Sequence, residues 1–301
     1  FVLFIPRVIP GEKVKIRVTE VKKTFGRGIA IEIQEESPDR VEPPCPVYGI
    51  CGGCQYQHIS YSRALTLKEE QLHETLERLG GITDKSYFEP ILSCPKSYGY
   101  RNAVTVRVRK EAHVWEVGYT GLDNRSFIKI AECPIASDPI NAALKNIHSV
   151  MEDMESPKAI AELTFKEGKN QVLLYPHYQQ SRRYKTKERL LYEWNGLKIF
   201  FGSDSFFQVN PVMIPPMIEL IERALEPEVD ETLLDLYAGS GLFSLALAKK
   251  YKTLIGIEVN KEAIDCFHEN IKINRLENII IVRGEVGEKI QNHKHQMTNK
   301  F

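Results

Sequence analysis

The amino-acid sequence predicts a multi-domain α/β chain in three parts. These are a small basic β-barrel of OB-like type over 1–41, a central α+β domain over 42–202, and the first half of a doubly wound, Rossmann-like parallel-sheet domain over 203–301. Three observations carry this reading. Apolar and charged residues alternate with a period of two through "GEKVKIRVTEVKKTFGRGIAIEIQ", the signature of an antiparallel hairpin with one buried face. From about residue 204 apolar strands alternate with helical patterns, which encodes a parallel sheet with right-handed crossovers. Between these regions, three of the six cysteines crowd into "CPVYGICGGCQYQH", residues 45–58.

Composition limits the function classes. A chain of 301 residues that is 43% hydrophobic can bury several separate cores. Forty Lys plus Arg balance forty Asp plus Glu, so no whole-molecule field marks a nucleic-acid binder and local bias has to be read instead. No apolar run is long enough to span a bilayer, and "FVLFIP" at the start is too short for a signal core. The expectation is a soluble cytoplasmic protein without a membrane partner. Six cysteines are too sparse for a disulfide scaffold in a chain of this length. A metal ion, a metal cluster or plain thiols remain open for them.

In the barrel, Val14, Ile16 and Val18 are expected to face a small core, with the hairpin turn at "FGRG". Seven Lys or Arg against two Glu between Arg7 and Arg27 fit either a solvated face or a surface that touches phosphates. "SPDRVEPPCP", with four prolines, reads as a linker. A helix over 62–80 follows the cysteines and stops at Gly80 and Gly81. Residues 98–200 are strand-rich, interrupted by one helix, "SDPINAALKNIHSVMEDM", with Ser137 or Asp138 as cap. The third part reads helix ("MIPPMIELIERAL"), strand ("TLLDLYAGSG"), helix ("LFSLALAKKY"), strand ("TLIGIEVN"), helix ("KEAIDCFHENIKINR") and strand ("NIIIVRGE"). It ends in a polar tail expected to be disordered, "NHKHQ" included.

The chemistry of that last part sits at its strand ends. "DLYAGSG" places Asp235 at the end of a strand and Gly239 and Gly241 in the turn that opens the next helix, where backbone can approach a ligand closely. Glu258 ends the following strand seventeen residues after Gly241, near the about 20 of a nucleoside-binding crossover. A carboxylate there can accept hydrogen bonds from both hydroxyls of a ribose. The third glycine of a dinucleotide fingerprint is missing, because Ser244 stands in its place, which disfavours NAD. The combination resembles the S-adenosylmethionine-binding half of class I methyltransferases.

Just upstream stands "SDSFFQVNP", residues 203–211. The string F-F-Q-V-N, the methyltransferase turn and the cysteine stretch together resemble the bacterial RNA uracil-5-methyltransferase family. The most similar branch modifies 23S ribosomal RNA and carries a [4Fe-4S] cluster and an N-terminal TRAM domain. "CGGCQYQH" at 51–58, "YRN" at 100–102 and "CPIASDPI" from 133 match it as well. The resemblance implies that Cys45, Cys51, Cys54 and Cys133 hold the cluster, with a four-thiolate zinc site as chemical rival. It also implies that Gln208, Tyr237, Gly239, Gly241, Glu258 and Glu285 line the cofactor site, Glu258 at the ribose and Glu285 near the adenine amine. Leu242 departs from the branch, which has Asn there. Cys266, among Ile264 and Phe267, reads as a packing thiol.

The implied activity is S-adenosylmethionine-dependent methylation of uridine carbon 5 in RNA, by a monomer. A cysteine thiolate adds to carbon 6, the resulting enolate takes the methyl group, and a base removes the carbon 5 proton. The family carries that cysteine in an S-C-N-P string, which these 301 residues do not contain. The sequence as it stands is therefore expected to be an incomplete, inactive form. Basic clusters at Arg101, Arg107, Arg109 and Lys110 and in "SRRYKTKER" (181–189), with Phe206, Tyr98 and Tyr100 for base stacking, are the candidate RNA contacts. The alternative of another class is a non-catalytic RNA-binding module with a structural iron-sulfur or zinc site.

Overall fold

Local sequence pattern decides most of the elements, and close backbone approach corrects the rest. A computed structural model describes residues 1–154, 160–178, 188–203 and 205–297. They fall into two compact units, Phe1–Ser97 with Val117–Pro134 and Tyr98–Glu116 with Ile135–Phe301. These units do not follow the boundaries expected after residues 41 and 202. No helix among the described residues is long and apolar enough to cross a membrane.

The first unit opens with a three-stranded sheet of β1 (Val2–Phe4), β2 (Lys13–Val21) and β3 (Phe25–Glu35), ordered β1-β3-β2. β2 and β3 form the expected antiparallel hairpin, while β1 runs parallel to β3. The turn lies at Lys22–Thr24, not at "FGRG". Gly26 and Gly28 are strand residues instead: a Cβ on Gly26 would meet Leu3 and the Glu20 carbonyl, and one on Gly28 the Arg17 carbonyl. Glycine is needed there for close approach, not for a turn. Val14 and Ile16 are half-buried as expected, but Val18 is 47% exposed, because an irregularity between Val18 and Glu20 shifts the register.

After the hairpin the chain is anchored by a buried ion pair. The Glu12 carboxylate accepts from Arg40 Nε at 2.6 Å and Nη2 at 2.8 Å, and from the N–H groups of Ile9 (2.9 Å) and Ser37 (3.3 Å). The Arg40 guanidinium holds the Glu12 carboxyl down at about 2. Next comes α1 (Tyr61–Gly80), where Ser60 Oγ accepts the Arg63 N–H and Gly81 closes the end with φ +66°. Ala64 and Leu67 of α1 pack with Ile9 and Ile59.

The second unit contains β4 (Ala103–Glu111), and β5 (Val114–Thr120) starts there and ends in the first unit, where Gly118–Thr120 pair with β6 (Phe127–Lys129). The single helix expected near 137–154 is two, α2 (Asp138–Lys145) and α3 (Ile147–Asp153), broken at Asn146. β7 (Ile160–Gly168) pairs antiparallel with both β4 and β8 (Gln171–Tyr178). β9 (Leu190–Trp194) and β10 (Leu197–Phe201) form a hairpin over Asn195 and Gly196, both at positive φ, the turn that matches strand twist.

The parallel part follows as expected: α4 (Ile214–Leu225), β11 (Thr232–Leu236), α5 (Leu242–Leu247), β12 (Thr253–Glu258), α6 (Lys261–Ile273) and β13 (Ile279–Arg283), with sheet order β11-β12-β13. Its core joins Leu190, Ile199 and Phe201 of the hairpin to Phe207, Ile218, Leu245, Leu254 and Phe267. The expected disordered tail is in part a helix, α7 (Val286–Met297), whose first residue Val286 is buried. Of "SRRYKTKER", residues 181–187 lie outside the described residues.

Candidate functional site

The three parallel strands end at one place, and a carboxylate ties two of those ends together. After β11 the chain turns through Tyr237 (φ +61°), Gly239 (φ +59°) and Gly241 (φ +85°). The Ala238 N–H donates to the Ile257 carbonyl at 3.0 Å, and the Gly241 N–H to the Ala238 carbonyl at 2.9 Å. Gly241 is required twice, by its φ and by the Phe267 ring, which a Cβ would strike. At Gly239 a Cβ would meet nothing within 4 Å. That leaves open space beside the exposed Tyr237.

Glu258 ends β12 and accepts three backbone N–H groups: Gly239 on Oε2 at 2.8 Å, and Val259 and Asn260 on Oε1 at 2.8 and 2.7 Å. At the end of β13, the Gly284 N–H donates to the Glu258 carbonyl at 3.0 Å. This brings the exposed Glu285, which opens α7, alongside. Gly239, Glu258 and Glu285 are thus gathered by the sheet. Gln208 is half-buried and enters none of these hydrogen bonds. It follows Phe207, whose ring stacks on Phe201 at 4.0 Å between centroids in the core that also holds Leu242 and Phe267. Leu242, 6% exposed, is spent on that core.

Sequence reasoning set Ser244 aside as a missing glycine. It is fully buried, and its hydroxyl donates to Asp235 Oδ2 at 2.6 Å. Burial pushes the Asp235 carboxyl above the usual carboxylate range, with the Ser244 hydrogen bond opposing it. An Asp nine residues before a Ser, across a glycine turn, was the available signal.

In the first unit the cysteine stretch is laced to the β5–β6 turn. Cys51 bridges to Gly121, the Gly52 N–H donates to Thr120 at 3.1 Å, and the Leu122 N–H to Ile50 at 3.0 Å. A Cβ on Gly52 would press on the Thr120 carbonyl. Cys133 is buried in the loop ahead of α2. Cys45 and Cys133 each lie within electrostatic reach of both Cys51 and Cys54. Burial first, then the neighbouring thiols, pushes Cys51 and Cys54 up, opposed by the Gly53 N–H on Cys51 Sγ (3.4 Å) and by Gln57 on Cys54. Among the described residues, no three His, Cys, Asp or Glu side chains come together as a group that could hold a metal ion. Cys266 is fully buried, and burial raises its thiol to about 11, which fits a packing role.

Part of each basic cluster is paired with carboxylates in place. Lys13 pairs with Glu35, Lys22 and Arg27 with Glu20, Arg109 with Glu111 and Glu116, and Lys110 with Glu152. Arg101 Nε donates to the Ala103 carbonyl at 2.9 Å. Of the three aromatics, Phe206 is 71% exposed and Tyr98 37%, whereas Tyr100 is half-buried.

A family model described as tRNA (uracil-5-)-methyltransferase matches residues 185–298, and one for the TRAM domain matches residues 1–31. The 23S rRNA (uracil(1939)-C(5))-methyltransferase of Vibrio parahaemolyticus is 30% identical over 92% of this chain and 69% of its own length. An uncharacterized RNA methyltransferase of Synechocystis is 27% identical over 95% of this chain and 72% of its own. The crystal structure of the Pyrococcus abyssi tRNA (uracil-54, C5)-methyltransferase, solved with S-adenosyl-L-homocysteine, superposes with a TM-score of 0.70 at 22% identity, over 93% of this chain and 74% of that one. That likeness shows the shared fold. With glycine turn, acidic strand end and TRAM region all on one chain related to these enzymes along nearly its whole length, the protein belongs to the RNA (uracil-5-)-methyltransferase family.

Proposed function

We propose that this chain binds S-adenosylmethionine at the β11–β12 strand ends and serves methyl transfer to carbon 5 of a uridine in ribosomal RNA. The observation that carries the reading is the Glu258 carboxylate bridging the Gly239 N–H and the Val259 and Asn260 N–H groups at the open glycine turn. A carboxylate has about four acceptor sites. Three are used, so one stays available to a ribose hydroxyl while the backbone fixes the group's orientation. Gly239 lets the cofactor lie against the main chain, Tyr237 supplies an exposed ring beside it, and Gln208 and Glu285 flank it. Once bound, S-adenosylmethionine supplies an electrophilic methyl group. Cys266, buried and protonated, is not the nucleophile of the reaction.

The same reading assigns a [4Fe-4S] cluster to Cys45, Cys51, Cys54 and Cys133. Four cysteines, with the Gly53 N–H on Cys51 Sγ, are the donor set such a cluster would take, and zinc is the rival that the same thiolates could hold. The role proposed is structural, since the cysteine stretch is laced to the β5–β6 turn.

The test is calorimetric titration with S-adenosylhomocysteine, followed by incubation with unmodified ribosomal RNA and labelled S-adenosylmethionine. Binding that Glu258→Ala weakens at least tenfold, with RNA retained on the chain, supports the reading. No binding by the wild-type chain refutes the cofactor site. Anaerobic purification with iron and sulfide analysis decides the cluster: zinc or no metal on the four cysteines removes that assignment.

A further inference from the structure

The outer edge of β10 is closed by Asn270 of α6 and by Asn274, which caps that helix, and Asn270 reaches the glycine turn. In the β9–β10 hairpin Leu197, Ile199 and Phe201 lie opposite Trp194, Tyr192 and Leu190. The two-residue turn makes these the hydrogen-bonded pairs, so the backbone groups of Lys198 and Phe200 point to the other edge. Amides meet them there. Asn274 Oδ1 accepts the Lys198 N–H at 2.9 Å and its Nδ2 donates to the Lys198 carbonyl at 2.7 Å. Asn270 does the same for Phe200, at 2.7 and 2.9 Å.

The registers match for a physical reason. Four residues of helix rise about 6 Å, and two residues of strand advance about 6.6 Å, so Asn-x3-Asn on a helix faces alternate residues of a strand. Each amide imitates the neighbouring strand that the edge lacks. Asn270, with no exposed surface, has one donor left, and it goes to the Ser240 carbonyl at 2.9 Å, inside the glycine turn. Farther along the same edge, the Gly202 N–H donates to Ser205 Oγ at 2.9 Å, and Lys166 Nζ donates to the carbonyls of Ser203 (2.8 Å) and Ser205 (2.9 Å). The next residues are Phe206, Phe207 and Gln208.

We infer that Asn270 is a positioning residue for methyl transfer, locking the strand that delivers Gln208 to the turn that carries Gly239 and Gly241. Asn274 closes the strand edge and donates to the Asn270 backbone carbonyl at 2.7 Å, but makes no bond to the turn. The inference rests on the cofactor reading above. Asn270→Ser and Asn274→Ser each remove one amide from the same ladder, and only the first severs the turn. Titration with S-adenosylhomocysteine is expected to show about tenfold weaker binding for Asn270→Ser, the effect of one lost charge-free hydrogen bond of ordinary strength. Asn274→Ser should stay within twofold. Equal losses in both variants, or none in either, overturn the coupling and leave Asn270 a packing residue.

Amide hydrogen exchange on the unliganded proteins reads the same link without cofactor. Exchange at the Gly241 N–H should quicken in Asn270→Ser and not in Asn274→Ser; an unchanged Gly241 amide overturns the inference. If Asn270→Ser does not fold, the wild-type chain decides: S-adenosylhomocysteine should protect the Phe200 amide together with the Gly241 amide, and protection at Gly241 alone overturns the link. Absence of binding by the wild-type chain fells the cofactor reading, and the unliganded exchange comparison then decides the coupling by itself.

Discussion

Replacing Gly241 by alanine separates two costs that the structure assigns to one position. The first is backbone: φ is +85° there, a region that costs an L-residue roughly 1–2 kcal/mol. The second is packing. A Cβ at Gly241 would lie well under 3.0 Å from three atoms of the Phe267 ring, and Phe267 is itself fully buried, so overpacking adds roughly 1–3 kcal/mol. Gly241→Ala should therefore destabilise the parallel-sheet region by about 2–5 kcal/mol. Gly239→Ala is the internal control. Its φ is +59° and a Cβ would meet nothing within 4 Å, so only the backbone cost of about 1–2 kcal/mol applies. Urea denaturation followed by fluorescence or circular dichroism measures both. The double variant Gly241→Ala, Phe267→Leu should recover part of the Gly241→Ala loss, net of the smaller side chain's own cavity cost. Equal losses at Gly239 and Gly241, or no coupling in the double variant, would refute the assignment of Gly241 to packing against Phe267.

Three further outcomes follow from named contacts. Glu12 is held at about 2 against an ordinary 4.5. Between those values the unfolded chain binds the proton more readily, so this contribution is complete above about pH 4.5 and is lost as pH falls toward 2. It amounts to about 2–3 kcal/mol, and Glu12→Gln should flatten the acid limb of a stability-against-pH curve by that much. Ser244→Ala removes the 2.6 Å hydrogen bond to Asp235 and should cost about 1–2 kcal/mol, while carboxyl titration followed by carbon-13 NMR moves Asp235 further up. Cys51→Ser should lower iron content per chain and loosen the link between the cysteine stretch and the β5–β6 turn, seen as faster exchange of the Gly52 amide. Iron content equal to wild type would dismiss Cys51 as a ligand.

The parallel region was the most legible because its signals are local. Apolar strands, glycines at a strand-to-helix turn and an acidic residue at the next strand end are all fixed by neighbours within twenty or so residues, and all appear where the pattern puts them. What failed depended on contacts distant in sequence. Gly26 and Gly28 read as a turn because glycine permits one, yet the demand comes from β1 and β2 lying against β3. The clusters at Arg109 and Lys110 read as a basic patch because the sequence does not say that Glu116 and Glu152 fold onto them. Asn270 left a faint trace, an amide inside a helix where asparagine is a poor helix former, with Asn274 four residues on as the helix's C-cap. Their purpose needs the strand edge to be visible.

Glu258, the ribose ligand proposed above, already serves a structural purpose. With three backbone N–H groups already on its oxygens, the carboxylate holds the glycine turn in shape before any ribose arrives. Glu258→Gln keeps the volume but puts an NH2 where an oxygen stood. Either the Gly239 N–H or the Val259 and Asn260 N–H groups then face a donor, at a cost of about 1–3 kcal/mol for partners left unsatisfied. The expected result is a drop in stability of that size in the unliganded protein together with weaker S-adenosylhomocysteine binding. A variant whose thermal midpoint equals wild type while affinity falls would confine Glu258 to ribose recognition and sink the turn-holding role. The opposite result, lost stability with unaltered affinity, would remove the ribose contact and leave the acidic strand end as a turn-holding group alone.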